Sequence, residues 1–382
     1  MSGEPRVLVV HNRYRQRGGE ERAVDLQLAA LDRAGVPHAA LFRDSGGAGR
    51  ARAARAMLAG GERPGEVVEA ARGLGASVVH VHNMLPLFGP RALAAAREAG
   101  ARTVLHLHNF RLFCSIAVAF RDGETCFRCR HRLTLPGAVL NCRGSAPESA
   151  VYATALAAHQ PRVLETVDRF ATPSRFAAGQ LARLGVPADR LDVVPSYLPD
   201  EELAAGTRAD EGAYAVAVGR LAVEKGFRYA IEAAARSRVP LRIAGDGPLA
   251  DDLRDLARRT RAPVELLGAV PPERVRELLA GAAMAVVPSV GPDVMPFAAI
   301  EAMAAGVPVV AARTGSLPEV VGAARCVPRR DAAALAGAMS ALWDDRGHRA
   351  DEGALALERA RERFGEERYL RDLLDLYARA DA

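Results

Sequence analysis

The sequence predicts an α/β protein built from two Rossmann-like domains, each a parallel sheet covered by helices. Three observations carry this expectation. Short apolar, β-branched runs alternate with Ala- and Leu-rich stretches of helical spacing, the βαβ rhythm of a parallel sheet. The apolar runs are continuous rather than alternating, as strands buried on both faces require. The rhythm breaks once, over 193–214 (VVPSYLPDEELAAGTRADEGAY), where Pro, Asp, Glu and Gly replace the apolar periodicity and mark a linker. At 382 residues the chain is too long for one ordinary core and suits two domains.

In the first half, strands are expected at 6–10, 77–82 and 102–107, with helices at 19–34 and 90–99. In the second, AYAVAVGR, VPLRIAGDG, PVELLGAV, MAVVPS, VPVVAA and ARCVP supply strands, and helices fall near 226–236, 248–259, 272–281 and 297–305. The stretch 351–380 has helical spacing with one apolar stripe, Phe364, Tyr369, Leu373 and Leu376, which must dock on something. The expected boundaries are 1–195 for an N-terminal domain, 196–355 for a C-terminal domain, and 356–382 for a helix crossing back to the N-terminal domain. Ligands of open parallel sheets bind outside the carboxyl ends of the strands, so a cleft faced by both sheets is the expected site.

Composition describes a soluble globular protein, 49% apolar and 25% charged. The most apolar stretch, AIEAMAAGVPVVAA, is shorter than a membrane span and is interrupted by Glu301, Gly306 and Pro308. The amino terminus passes from a short polar lead straight into a strand-length apolar run, so neither a signal peptide nor a bilayer crossing is expected, and the expected location is cytoplasmic. The net charge of +5 is uneven: residues 1–195 hold 26 Arg against 17 acids (+9), and residues 196–382 hold 25 basic against 29 acidic (−4). A basic first half suits an anionic ligand or peripheral contact with an acidic membrane surface, and equally an ordinary solvated surface. One Trp and seven Tyr give no basic and aromatic interleaving, so nucleic acid is not an expected partner. Oligomeric state is not legible.

Chemistry concentrates in the second half, at three strand ends. The only lysine of the chain, Lys225, follows Arg220 in GRLAVEK. A compact ammonium and a planar guanidinium at this spacing suit a diphosphate without demanding a metal. Gly245 and Gly247, in GDGPL, offer close backbone approach and amides that could face an anion, with a helix opening at Pro248. Asp293 and Glu301, with seven residues between them, place one carboxylate in a loop and the other a turn inside the next helix, where they suit hydroxyls of a sugar and a ribose.

These elements, GRLAVEKGF, AGDGPL, LLGAV and the acid-x7-acid run continuing into AMAAGVPVVAARTGSLPEVV, resemble the C-terminal domain of retaining GT-B glycosyltransferases of family 4 over about 214–323. VLVVHNRYRQRGGEERAV, VVHVHN and LHLHNFRLFC extend the resemblance to a surface-polysaccharide and natural-product branch, so it covers nearly the whole chain. It implies a nucleotide-sugar donor on the second domain, UDP favoured over GDP, and a saccharide, lipid-linked or small natural-product acceptor on the first. Transfer would retain the anomeric configuration at the interdomain cleft, with no catalytic metal. Arg220 and Lys225 would neutralise the leaving diphosphate, Glu301 would bind the ribose and Asp293 would touch the donor sugar. Gly18 and Gly19 would let the backbone approach the donor, and His108 would face the sugar. Two departures bear on donor choice: Asp293 stands where the family usually has Glu, and Pro296 and Phe297 stand where Gly and Leu are common. The alternatives are a nucleotide-sugar 2-epimerase of the same fold and a noncatalytic sugar-nucleotide sensor.

Two further groups stand apart. His80 and His82, and His106 and His108, alternate along two strand ends; His82 and His108 are placed nearer the cleft, while His11, His80 and His106 are read as structural. Cys114, Cys126, Cys129 and Cys142 form C-x11-C-x2-C-x12-C, which reads as an all-thiolate zinc site, with free or partly oxidised thiols as the alternative. Cys326 is read as a buried strand residue.

Overall fold

The structure, a computed structural model, describes residues 4–14 and 18–381. The chain forms two compact units. The first takes in residues up to Arg121, Cys126–Ser196 and the C-terminal stretch from Glu367; the second takes in Asp122–Thr125 and Tyr197–Glu366.

The first unit is built on β1 (Val7–Arg13), β2 (His38–Asp44), β3 (Val78–Val81) and β4 (Arg102–His106); β5 (Phe120–Arg121) and β6 (Glu124–Thr125), the latter assigned to the second unit, form a separate two-stranded sheet, and β7 (Arg169–Thr172) and β8 (Leu191–Val193) complete the first unit. Its parallel sheet runs β2-β1-β3-β4-β7-β8. Val7, Leu8, Val9 and Val10 are fully buried, the physical meaning of an uninterrupted apolar run. β1 continues past the expected strand to Arg13 because β2 pairs with it along its whole length, up to Arg13 opposite Asp44.

The second unit has β9 (Tyr214–Val218), β10 (Leu241–Ala244), β11 (Val264–Gly268), β12 (Ala282–Val287), β13 (Val309–Ala312) and β14 (Cys326–Val327). Its parallel sheet runs β11-β10-β9-β12-β13-β14. The strand order reverses between β9 and β12, the switch point at which doubly wound sheets open a crevice. The linker residues form short 3-10 turns, Asp200–Glu202 and Ala209–Glu211, ahead of β9.

The expected single helix over 351–380 is two helices, Arg346–Phe364 and Glu366–Asp381, and this corrects the reading of one apolar stripe. The break falls at Gly365, whose extended backbone (φ −74°, ψ 156°) leaves the helix and whose residue type is a poor helix former. Phe364 joins Ala356 and Ala360 in the core of the second unit. Tyr369, Leu373, Leu376 and Tyr377 are buried beyond the break, where the chain belongs to the first unit.

Candidate functional site: two sheet edges

In the second unit, the turn after β9 carries Arg220 and the 3-10 turn Val223–Lys225, which leads through Gly226 into the helix Phe227–Ser237. Gly226 has a left-handed backbone, φ 68°, and a Cβ there would lie 2.1 Å from the Pro288 carbonyl oxygen. Only glycine lets the two loops pass so closely. The Val290 and Gly291 amides both donate to the Glu224 carbonyl at 2.9 Å, tying the loop after β12 to the loop after β9. That tie places Asp293 beside Lys225: Lys225 Nζ donates to Asp293 Oδ1 at 2.7 Å, and Ser289 Oγ donates to Oδ2 at 2.7 Å. The sequence assigned these two residues to different parts of a ligand, but in the structure they are partners across the switch point. Arg220 pairs with Glu224 and keeps half its side chain in solvent.

Glu301 is half-buried in the helix Phe297–Ala304, one turn inside it, and Pro296 caps that helix from an extended conformation. Asp293 lies in the preceding loop, where its carbonyl accepts from the Ser316 amide at 2.8 Å.

The glycine turn after β10 differs from its expected use. The Gly245 amide donates to the Gly268 carbonyl at 2.7 Å, and the Gly247 amide to Asp246 Oδ1 at 2.7 Å. Their role is packing: with φ of 146° and 159°, Cβ atoms would lie 1.9 Å from the Gly219 oxygen and 2.5 Å from the Leu221 oxygen. The helix that follows runs Ala250–Thr260, so Pro248 precedes it and does not open it.

At the carboxyl edge of the first sheet, Gly18 caps the helix Gly19–Arg33. Its amide donates to Glu21 Oε2 at 2.9 Å while the Tyr14 amide donates to Oε1 at 2.8 Å, so the Glu21 carboxylate bridges the two. The backbone approach expected of Gly18 is thus taken by the protein's own carboxylate. Beside it sits a cluster that sequence reading missed. Tyr14 Oη and Asn109 Nδ2 both donate to Glu20 Oε2, at 2.8 and 2.9 Å, and the Arg111 guanidinium lies 4.8 Å from the Tyr14 ring centroid. Burial, the largest influence, raises the Glu20 carboxyl and the Tyr14 phenol above their ordinary ranges. A cavity of about 190 Å³ opens alongside, lined by His11, Arg13, Tyr14, Glu21, Phe42 and Asp44 among others.

The histidines form a stack. His80 and His82 are parallel at 4.6 Å, His82 and His108 at 5.1 Å, and His106 and His108 at 4.1 Å between ring centroids. His82 Nδ1 lies 2.8 Å from His108 Nε2, so one ring donates to the other. His82, placed nearer the cleft by the sequence, is buried and serves as the partner of the half-buried His108. His80 Nδ1 is within 2.9 Å of Tyr377 Oη and 3.0 Å of Gln27 Nε2, an internal role as expected. Burial holds these rings neutral: the pKa of His106 falls to about 3, and those of His80, His82 and His108 lie well below the usual imidazole value. Nitrogens of His80, His82 and His106 lie within 4.8 Å of one another, but near-parallel stacked rings keep their in-plane lone pairs from converging on one ion.

Residues 4–196 match the family described as glycosyl transferase 4-like domain, and residues 212–345 match glycosyl transferases group 1. A putative colanic acid biosynthesis glycosyltransferase, WcaL of Escherichia coli, is 32% identical over 207 residues, 49% of each chain. The 2-deoxystreptamine N-acetyl-D-glucosaminyltransferase of Streptomyces fradiae is 28% identical over 301 residues, 71% of this chain and 64% of that one. The chain spans about half the length of WcaL and a smaller share of several other curated relatives. Among solved structures, Anabaena HepE in complex with UDP and glucose superposes with a TM-score of 0.66 at 15% identity, covering 97% of this chain and 98% of that one. No helix among the described residues is long and apolar enough to cross a membrane. By its matched domains and its two parallel-sheet units, the chain belongs to the GT-B glycosyltransferases of the 4-like and group 1 families.

Proposed function

We propose that the chain transfers a sugar, with retained anomeric configuration, from a nucleoside-diphosphate sugar to a nucleophile of a saccharide, lipid-linked or natural-product acceptor. UDP is the favoured nucleotide over GDP. The observation that carries this reading is the placement of the only lysine, with Arg220, at the switch point of the second sheet. The UDP bound in the similarly folded HepE, the colanic acid biosynthesis named for WcaL and the 2-deoxystreptamine named for the Streptomyces fradiae enzyme lend it support.

In this reading Asp293 stores Lys225 in position. Donor entry turns the ammonium toward the diphosphate and releases the carboxylate to a sugar hydroxyl. As the glycosidic bond to the diphosphate breaks, charge grows on the leaving phosphate, and preorganised cations stabilise it most in the transition state. Arg220 and Lys225 supply that charge, so the reaction needs no divalent metal for the leaving group. Glu301 accepts from the ribose hydroxyls. His108, held neutral by burial and oriented by His82, offers the donor sugar a hydrogen bond without a competing cation. The acceptor belongs to the first sheet's edge, where the cavity beside Tyr14 mixes polar groups with an aromatic wall.

The test is transfer itself. UDP- and GDP-sugars are incubated with saccharide and aminocyclitol acceptors, without added divalent ions, and the product anomer is read by proton NMR. An α-linked product from an α-configured donor supports the reading; an inverted product, or C2 epimerisation with no acceptor, contradicts it.

A further inference from the structure

We propose that Cys114, Cys126, Cys129 and Cys142 bind one structural Zn²⁺ per chain, a site that sugar transfer neither requires nor explains. All four thiols are free and half-buried, and all four line a single cavity of about 20 Å³, space for one ion. Phe110, Phe113, Phe120 and Phe127 are among the apolar residues of its wall, and Arg121 and Arg128 line it too. Cys129 has each of the other three thiols as an electrostatic neighbour. Residues 28 positions apart in the chain are brought to one void in an otherwise cysteine-poor protein with five cysteines in all.

The segment 114–142 has little regular secondary structure of its own. Its regular structure amounts to β5, β6 and the five-residue helix Leu135–Val139. Among the described residues, nine non-glycine residues have positive φ, and five of them, Ala117, Ala119, Asp122, His131 and Asn141, fall in this segment. Left-handed backbone at so many side-chain-bearing residues is costly and persists only where the surroundings enforce it. A tetrahedral metal is such an enforcer, and its binding free energy becomes folding free energy.

The charges around the thiols fit the same occupant. Four thiolates on Zn²⁺ carry a net −2. The segment holds four arginines, at 121, 128, 130 and 132, against two acids, at 122 and 124, a balance of +2. One of those arginines points at the cluster: Arg121 Nη1 donates to Cys142 Sγ at 3.4 Å, the kind of outer hydrogen bond that steadies a metal-bound thiolate. Binding exchanges up to four thiol protons for the ion and involves no oxidation. On binding, the Cys-x2-Cys pair at 126 and 129 would give the short knuckle and Cys114 and Cys142 the other two ligands, the four sulfurs drawing together from the cavity wall around the ion.

The test uses the full chain, purified without metal supplementation, and three readouts. Elemental analysis is expected to give close to one zinc per chain. Growth in cobalt is expected to give the visible bands of tetrahedral thiolate-bound Co²⁺, a signature that Cys129→Ser weakens even where that variant folds poorly. Trypsin is expected to spare Arg121, Arg128, Arg130 and Arg132 until a chelator strips the metal, then to cut there at least about tenfold faster. Disulfide-linked cysteines, or four thiols reactive in the native chain with no metal present, overturn the proposal. Zinc well below one per chain that a brief chelator wash removes with no change in proteolysis is an adventitious ion only, and overturns it as well.

Discussion

The two sheets present opposite chemistries at their carboxyl edges. The first ends in stacked imidazoles kept neutral by burial, next to a carboxylate whose proton affinity burial has raised. The second ends in full charges: Lys225 with Asp293, and Arg220 with Glu224. Under the proposed reading, a doubly wound scaffold used twice divides labour between these edges. A diphosphate needs cations that are partly solvated and free to exchange partners, whereas a sugar and its acceptor need directional hydrogen bonds from groups carrying no net charge. Two of the first unit's arginines do reach this edge, Arg13 in the cavity wall and Arg111 over the Tyr14 ring.

Acid should break the comparison most sharply. The buried histidines have folded pKa values below those of the unfolded chain, so as pH falls the folded state takes up fewer protons than the unfolded state does. Their penalty is absent above an unfolded value of roughly 6.5 and grows by about 1.4 kcal/mol per pH unit for each ring below it. Denaturant titrations from pH 7.5 to 4.5 should show the first unit losing several kcal/mol; unchanged stability down to pH 5 would mean the rings take up protons without unfolding it.

Backbone crowding gives the next effect, on the other edge. Gly245→Ala places a Cβ 1.9 Å from the Gly219 oxygen at a φ of 146°. The turn must open, at a cost of about 1–3 kcal/mol. A lower melting temperature of the second unit, with the histidine edge untouched, is the expected result by calorimetry.

Charge removal sharpens the comparison at the level of turnover. Lys225→Ala should reduce kcat at least about tenfold, the loss of one charge-assisted contact to a developing anion. Lys225→Arg should fall between, since a planar fork does not replace a point charge seated against Asp293. Arg220→Ala should cost less than Lys225→Ala, a few-fold, because that side chain is half in solvent and already shares its charge with Glu224. Steady-state kinetics with a saturating acceptor rank the three.

Much of this was legible in the sequence because it is local. Uninterrupted runs such as VLVV announced buried parallel strands, and the spacing from Arg220 to Lys225 and from Asp293 to Glu301 survived intact into turns and a helix. What was not legible depends on which strands become neighbours. Lys225 meets Asp293 across 68 residues only because β9 and β12 are adjacent. Tyr14, Glu20 and Asn109 meet because the loops after β1 and β4 share an edge. The break at Gly365 was visible as a residue, but an apolar stripe continuing through it masked the change of partner. β2, a half-buried edge strand with weak alternation in HAALFRD, offered too little pattern to stand out.

In the proposed reading Lys225, held ready by Asp293, grips the diphosphate. Calorimetric titration of UDP into wild type, Lys225→Ala, Asp293→Ala and Glu301→Ala tests this directly. Binding at least about tenfold weaker is expected for Lys225→Ala and for Glu301→Ala. Equal or tighter binding is expected for Asp293→Ala, because that change frees the ammonium and removes nothing that a nucleotide without its sugar can touch. Wild-type affinity in Lys225→Ala, or a loss in Asp293→Ala as large as that in Glu301→Ala, would contradict it.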